Sequence, residues 1–536
     1  MKKLPLGIQS FRKIIEGEYV YVDKTRYIYD LINNANYYFL SRPRRFGKSL
    51  LLDTIAETFS GDKELFKGLW IYGSGFEFDG RPVLRFDMSN IANDTPETLK
   101  GSLIVALKKY VKAEGFDIDY STPSDMFKSL IESLYGKYNR RIVVLVDEYD
   151  KPILDRIDDI TIAEANRDIL RGFYGVLKSM DPYLKLALIT GITKFTKTSI
   201  FSGLNNMLDI TLMEEYADIC GIGIDDLDRY FGEHIGNLSS LEHYSYIANI
   251  RAKILEWYDG YSWNGKTRVI NPHSLLSLFL AKEFESYWYA SGTPSFLLKV
   301  IKERPESFLA LRNLEISERT LSNFDIRRME LEPLLFQTGY LTVSEKRYHG
   351  VSVNYLMKIP NLEVKDALYK SIIAEFTQRG EAFAETAHRR IRESLETGDM
   401  QNMLAILRGL FASIPYQLHV DKEAYYHSIL FAVLDLLGFT VDAEVSVSGG
   451  RIDAVLEQSD KVFIMEFKYR DCPQDAAHEQ RRKLFDEALE EGMKQINDRG
   501  YADKYAGSGK SVYKAAFAFL GRDEIEMRVE PVHCKL

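Results

Sequence analysis

Residues 141–150 read RIVVLVDEYD, and this stretch decides the fold. Five consecutive apolar residues, Ile142 to Val146, run directly into Asp147 and Glu148. A continuous apolar run this short predicts a strand buried in a parallel sheet. Two carboxylates at its carboxyl end stand where an open α/β sheet binds ligands. Upstream, Tyr37-Tyr38-Phe39-Leu40 is a second apolar run, followed by SRPRRFGKSLLLDTIAETF from Ser41 to Phe59. Its Gly47-Lys48-Ser49 is the closing half of a phosphate-binding loop that opens a helix. Together the two segments predict a site for a nucleoside triphosphate.

Such a loop aims backbone N–H groups and a helix N-terminus at the phosphates, with a lysine in front. Lys48 is the residue expected to reach the β- and γ-phosphates, and the Ser49 hydroxyl is expected on Mg²⁺. Asp147 would complete the Mg²⁺ shell, and Glu148 would polarise the attacking water if ATP is hydrolysed. The pattern G-x-x-x-x-G-K-[ST] is incomplete, because Arg42 stands where the first glycine belongs. Read alone, the segment is equally a solvated basic turn ahead of an amphipathic helix. The downstream strand ending in Asp-Glu favours the phosphate loop. ATP phosphates also account for the local basic patch of Arg42, Arg44, Arg45 and Lys48, in which Arg45 and Gly47 are counted as nucleotide-side residues.

At 536 residues the chain is too long for one core, so two to four domains are expected. Apolar content of 46% and charged content of 27% match soluble globular proteins. A net charge of −9 gives no global attraction to nucleic acid, so any such binding must rest on local patches. The three cysteines, Cys220, Cys472 and Cys534, have no metal-ligand spacing, which argues against a disulfide or zinc framework. Met1-Lys2-Lys3 is followed by Pro5 and Gly7 rather than by an apolar signal segment, and no stretch has the length of a membrane span. A cytoplasmic protein is expected, with no membrane partner.

Along residues 1–225, candidate strands Tyr37–Leu40, Val83–Phe86, Ile142–Val146 and Leu186–Ile189 alternate with helical patterns, which predicts a parallel sheet with helices on both faces. Thr190-Gly191 closes the last strand at the same edge as Asp147. Thr190 is either a sensor of the γ-phosphate or a strand-end turn residue. Residues 226–415 read as mostly helical and aromatic-rich, forming a middle or lid region. WYDGYSWNGK (Trp257–Lys266) is a loop carrying Asp-Gly and Asn-Gly turn signals, with packing the safer reading of its aromatics.

Residues 416–536 change character. EAYYHSILFAVLDLLGF has helical spacing, with Gly438 as its stop, and strands Arg451–Leu456 and Val462–Tyr469 flank a turn near Ser459-Asp460. Symmetric pairing about that turn sets Asp453 opposite Glu466, on one face with Lys468, Val455, Val462 and Ile464. Turned inward, two carboxylates and a lysine are costly unless something binds them. A divalent cation with oxygen ligands, Mg²⁺ or Mn²⁺, would relieve that cost and activate water against a phosphodiester. Lys468 would position the nucleophile or stabilise the transition state. The competing reading is a solvent-facing strand with a surface salt-bridge cluster.

Asp453, Glu466 and Lys468 resemble the acid, spacer, E-x-K core of PD-(D/E)XK nucleases, with Ile452 where a proline often stands. That resemblance implies Glu423 as a helix-borne addition to the metal shell and Gln495, in MKQI, as a further active-site residue. The whole chain resembles bacterial AAA-ATPase-like proteins with a C-terminal PD-(D/E)XK nuclease domain. The carrying segments are GIQSFRKI (7–14), YVDKT (21–25), SRPRRFGKSLLLDT (41–54), VLVDEYDKPI (144–153), ITGITKFTKTSIFSGLNN (189–206), WYDGYSW (257–263), INPHSLL (270–276) and IPNLEV (359–364). The family tolerates Arg42-Pro43-Arg44-Arg45 ahead of Gly-Lys-Ser. The resemblance implies an α/β protein: a P-loop parallel-sheet ATPase domain, a helical middle and a C-terminal restriction-endonuclease-like domain.

The leading expectation is an ATP-binding, ATP-hydrolysing protein coupled to metal-dependent cleavage of nucleic acid, DNA rather than RNA. The alternatives are a signalling ATPase whose nuclease fold is inactive and used for binding, and a nuclease whose P-loop binds ATP without hydrolysis. A homo-oligomer stays open. The nine histidines form no ligand cluster, and His273 and His427 are read as structural or capping residues.

Overall fold

In the computed structural model of the chain, the run at 142–146 lies inside a parallel sheet. Its strands are β1 (Tyr37–Ser41), β2 (Val83–Asp87), β3 (Ile142–Asp147), β4 (Leu184–Gly191) and the short β5 (Leu208–Asp209), in the order β2-β3-β4-β1-β5. Every residue of β1 and β3 is buried, as their unbroken apolar runs require, whereas β2 at the edge alternates. β4 separates the phosphate-loop strand β1 from the Asp147 strand β3. It is longer than its apolar run, and takes in Thr190 and Gly191 as strand residues. The structure describes the whole chain except residues 195–199, 202–203, 205, 289–313, 322–329, 351, 378, 412–439, 448–449, 458–459, 474, 499–504, 506–508, 521–523 and 533–536.

The helices between strands obey their end signals. Thr95 and Thr122 cap the helices Pro96–Glu114 and Pro123–Tyr138, each with proline in the first turn. Gly115 and Asn139 then stop them in the left-handed conformation. Beyond the sheet, helices Ile224–Ser239, Ile250–Tyr258 and Pro272–Ala281 share an apolar cluster that includes Leu227, Phe231, Ile254, Leu275 and Phe279. The WYDGYSWNGK loop packs inward, with Tyr258, Tyr261 and Trp263 buried.

The middle of the chain is not helical throughout. The short pair β6 (Ile222–Gly223) and β7 (Val269–Ile270) is followed by an antiparallel sheet of β8 (Glu315–Ser317), β9 (Thr342–His349) and β10 (Ser352–Lys358), in the order β8-β10-β9. The chain divides into two compact units, Met1–Thr293 with Leu311–Val364, and Pro294–Ala310 with Lys365–Leu536. The second holds a five-stranded mixed sheet of β11 (Thr440–Val447), β12 (Gly450–Glu457), β13 (Lys461–Arg470), β14 (Ser511–Leu520) and β15 (Glu524–Pro531), in sequence order. Helix His478–Asp498 covers one face, and its Phe485, Leu489, Met493 and Ile496 pack with Val455, Val462, Ile464 and Ala516. Among the described residues no helix is long and apolar enough to cross a membrane.

Candidate functional site

The segment after β1 turns back on itself before the helix Lys48–Thr58. Arg45 and Gly47 both take positive φ, 69° and 93°, and Gly47 is the residue just outside the helix N-terminus. Arg42 does not, so its position places no demand for glycine. Its side chain corrects the expected basic patch: it is fully buried rather than turned to phosphate. Its guanidinium donates to the carbonyls of Ser41 (2.9 Å), Thr211 (2.8 Å) and Tyr216 (3.0 Å) and stacks on Trp263 at 4.0 Å. Among the described residues no carboxylate pairs with it, and burial pushes its pKa down to about 10. The planar five-donor fork suits such a carbonyl cage, which lysine could not fill.

Lys48 is buried, and its ammonium donates to the carbonyls of Arg42 (2.8 Å) and Pro43 (2.9 Å). Burial lowers its pKa, and Asp147 and Glu148 oppose that. Arg85 on β2 ties the helix to the sheet by pairing with Asp53 and donating to the Ser49 carbonyl at 3.2 Å. A cavity of about 450 Å³ opens over the loop. Its polar lining includes Lys48, Ser49, Arg45 and Glu148, and its apolar lining includes Leu6, Ile8, Val20, Ile222 and Leu276. His273 lines it too, one residue into a helix whose cap is Asn271, so His273 is a wall residue rather than the cap.

Asp147, Glu148 and Thr190 converge at the ends of β3 and β4. The Thr190 hydroxyl donates to Asp147 Oδ1 at 2.8 Å, and both side chains are buried. Thr190 therefore orients Asp147. Glu148 takes φ 52°, uncommon for a side chain with a Cβ, and reaches the cavity. Burial raises its pKa and Lys48 opposes. The carboxylate of Asp147 and the hydroxyl of Ser49 are oxygen donors of the kind that could hold Mg²⁺ alongside phosphate.

In the second unit, β12 pairs with β13 antiparallel, Ala454 opposite Met465, so the register predicted from the turn holds through Glu457 opposite Val462. Asp453 and Glu466 come next in that register. Glu466 is fully buried, on the face that carries Val455, Val462 and Ile464 into the core under the helix. That removes the solvent-facing reading. Lys468 donates to Glu466 Oε1 at 3.2 Å and to Gln495 Oε1 at 2.9 Å, which brings Gln495 to the cluster. Gly492 makes this approach possible, since a Cβ there would stand 3.0 Å from that of Ala516. Asp453 Oδ2 accepts the Phe467 N–H at 2.9 Å. Glu466 Oε2 is buried with no hydrogen-bond partner among the described residues. Burial raises the Glu466 pKa, Asp453 adds to it, and Lys468 opposes. An orphaned carboxylate oxygen beside a second carboxylate fits a divalent cation. Among the described residues no group of three acidic, histidine or cysteine side chains gathers, so phosphate or water oxygens would complete such a shell. Glu423, His427 and the helix predicted around them lie outside the described residues.

Sequence reasoning did not single out Asp53, Asp150, Trp288 or Glu363. Asp150 alone had a local signal, as the last acid of DEYD.

A phosphate loop on a parallel sheet, with Asp-Glu one strand removed, defines a P-loop ATPase-like class, and the second unit defines a PD-(D/E)XK nuclease fold. Residues 5–201 match the predicted AAA-ATPase family, and residues 421–528 match the PD-(D/E)XK nuclease superfamily. A protein of Azotobacter chroococcum mcd 1, described as "Uncharacterized protein in vnfD 5'region", is 35% identical over 525 residues, 97% of this chain and 96% of that one. The chain belongs to the family of AAA-ATPase-like proteins with a C-terminal PD-(D/E)XK nuclease domain.

Proposed function

We propose that the protein binds and hydrolyses ATP at the Lys48–Asp147 site and cleaves nucleic acid, DNA rather than RNA, at the Asp453–Glu466 site. The observation that carries the reading is the buried Glu466, whose Oε2 has no hydrogen-bond partner among the described residues while Lys468 is pinned between Glu466 and Gln495. A merely structural ion pair gains nothing from leaving an anionic oxygen buried and unsatisfied. The ATP half draws support from the cavity of about 450 Å³ over the loop, whose lining mixes charged and apolar side chains.

In this reading Lys48 moves from the Arg42 and Pro43 carbonyls to the β- and γ-phosphates. Arg45 and the Gly47 backbone flank them, and Glu148 orients the attacking water. Bound Mg²⁺, or Mn²⁺ at the second site, would neutralise phosphate charge and acidify bound water, held by Ser49 and Asp147 at the first site and by Asp453 and Glu466, with Glu423, at the second. Lys468 stabilises charge on the scissile phosphate, and Gln495 holds the lysine in place. The protein works in the cytoplasm, in keeping with the free thiols of Cys220 and Cys472.

The test is cleavage of duplex DNA, single-stranded DNA and RNA by the full chain in Mg²⁺ or Mn²⁺, with and without ATP, beside Lys468→Ala. Metal-dependent cutting lost in the variant supports the nuclease, and a change with ATP supports coupling. No cutting by a folded, ATP-binding chain would leave a nuclease fold that only binds.

A further inference from the structure

We propose that Asp150 is a positioning residue of the nucleotide site, clamping the end of β4 so that Glu148 and Asp147 keep the geometry that turnover needs. The proposal rests on the ATPase reading above. Asp150 is fully buried and does not line the cavity. Its Oδ2 accepts three hydrogen bonds from the segment just past Gly191: the N–H of Ile192 (3.1 Å), the N–H of Thr193 (2.6 Å) and the Thr193 hydroxyl (2.6 Å). Three donors converging on one oxygen hold the carboxylate in place and favour its charged form, against the burial that raises its pKa.

A second set of ties runs alongside. The Tyr149 N–H donates to the Thr190 carbonyl at 3.0 Å, and the Tyr149 hydroxyl donates to the Thr193 carbonyl at 3.1 Å. Gly191 sits between them with no room for a side chain, since a Cβ would stand 2.5 Å from the Tyr149 ring and 2.7 Å from Asp150 Oδ1. The two strand ends thus stay fastened beyond their last sheet pair, Val146 with Ile189.

Glu148 lies inside this clamp. Asp147 on one side is held by Thr190, and Tyr149 and Asp150 on the other are held by residues 190–193. The residue between them has to make the turn, which it does at φ 52°. That conformation is strained for a side chain with a Cβ, and persists only where its neighbours impose it. Freed of the clamp, Glu148 would relax toward ordinary backbone angles and carry its carboxylate away from the loop. Lys48, Ser49 and the loop backbone, which bind the nucleotide in this reading, would be untouched.

Asp150→Asn and Thr193→Val test this in the full chain, with Thr193→Ser as the conservative control and Glu148→Gln as the reference. ATP affinity is read with a fluorescent ATP analogue, turnover by phosphate release, and folding by thermal melting. Displacement of a reacting group by about 1 Å costs on the order of 10²-fold in rate. Asp150→Asn should lose turnover on that scale while KM for ATP and melting temperature hold. Thr193→Val should lose less, and Thr193→Ser should match the wild type. Unchanged turnover in both Asp150→Asn and Thr193→Val overturns the proposal, as does a loss matched by weaker ATP binding and a lower melting temperature. A wild-type chain that binds ATP without releasing phosphate overturns the ATPase reading and this role with it.

Discussion

Glu363→Gln probes a buried acid behind the phosphate loop. Glu363 is fully buried. Its Oε1 accepts the Trp288 N–H at 2.8 Å, and Oε2 has no hydrogen-bond partner among the described residues. The Trp288 indole N–H donates in turn to the Arg44 carbonyl at 3.3 Å, on the loop itself. Burial pushes the Glu363 pKa from 4.5 to about 7, against the pull of the Trp288 N–H. The Glu363 charge raises Tyr258, Tyr261 and Tyr287 in turn, and burial drives these phenols further up, so they do not titrate near neutrality. Below pH 4.5 folded and unfolded chains both hold the proton, and the full stability is present. Between 4.5 and about 7 only the folded chain holds it, so raising the pH favours unfolding. Above that both have released it and the deficit is constant. At 1.36 kcal/mol per pH unit, the interval caps the loss at about 3 kcal/mol. Glutamine is neutral throughout and still accepts the Trp288 N–H. The variant should therefore gain on the wild type by up to about 3 kcal/mol as pH rises across that interval. Urea unfolding followed by tryptophan fluorescence measures it, because all four tryptophans (Trp70, Trp257, Trp263 and Trp288) lie in the unit that holds Glu363. Parallel pH profiles for the two proteins would refute the reasoning.

Lys48→Ala removes a charge-assisted contact worth about 1.5–3 kcal/mol, so a fluorescent ATP analogue should bind on the order of 10- to 100-fold more weakly to a chain that still folds. Glu148→Gln should bind that analogue as the wild type does and release no phosphate. Arg42→Lys cannot reach the three carbonyls that the guanidinium spans. It should cost about 1–3 kcal/mol in the same urea assay. Asp453→Asn relieves a like-charge contact with Glu466, which should stabilise the metal-free protein by about 1 kcal/mol or less. It should also abolish the rise in melting temperature that Mg²⁺ confers on the wild type, a rise that chelation should reverse in the wild type alone.

What the sequence determined by itself is what short-range pattern encodes. Unbroken apolar runs placed β1 and β3, because a strand buried on both faces presents apolar side chains at consecutive positions and admits polar ones mainly at its end. Period-2 alternation put Glu466 and Lys468 on one face, and the assumption of symmetric pairing about the turn set Asp453 opposite Glu466, in the register that Ala454 and Met465 keep. The three-stranded sheet at 315–358 escaped, because TVSEKRYH is too polar to alternate clearly. Tertiary structure alone decided where Arg42 points, since nothing in RPRRFGKS distinguishes a phosphate ligand from a strut that reaches Thr211 and Tyr216. It alone paired Asp150 with Thr193, 43 residues on, and Glu363 with Trp288, 75 residues back. It alone turned the Glu466 face inward, through the helix His478–Asp498. Such contacts depend on which surfaces the chain brings together, and local spacing carries no record of that.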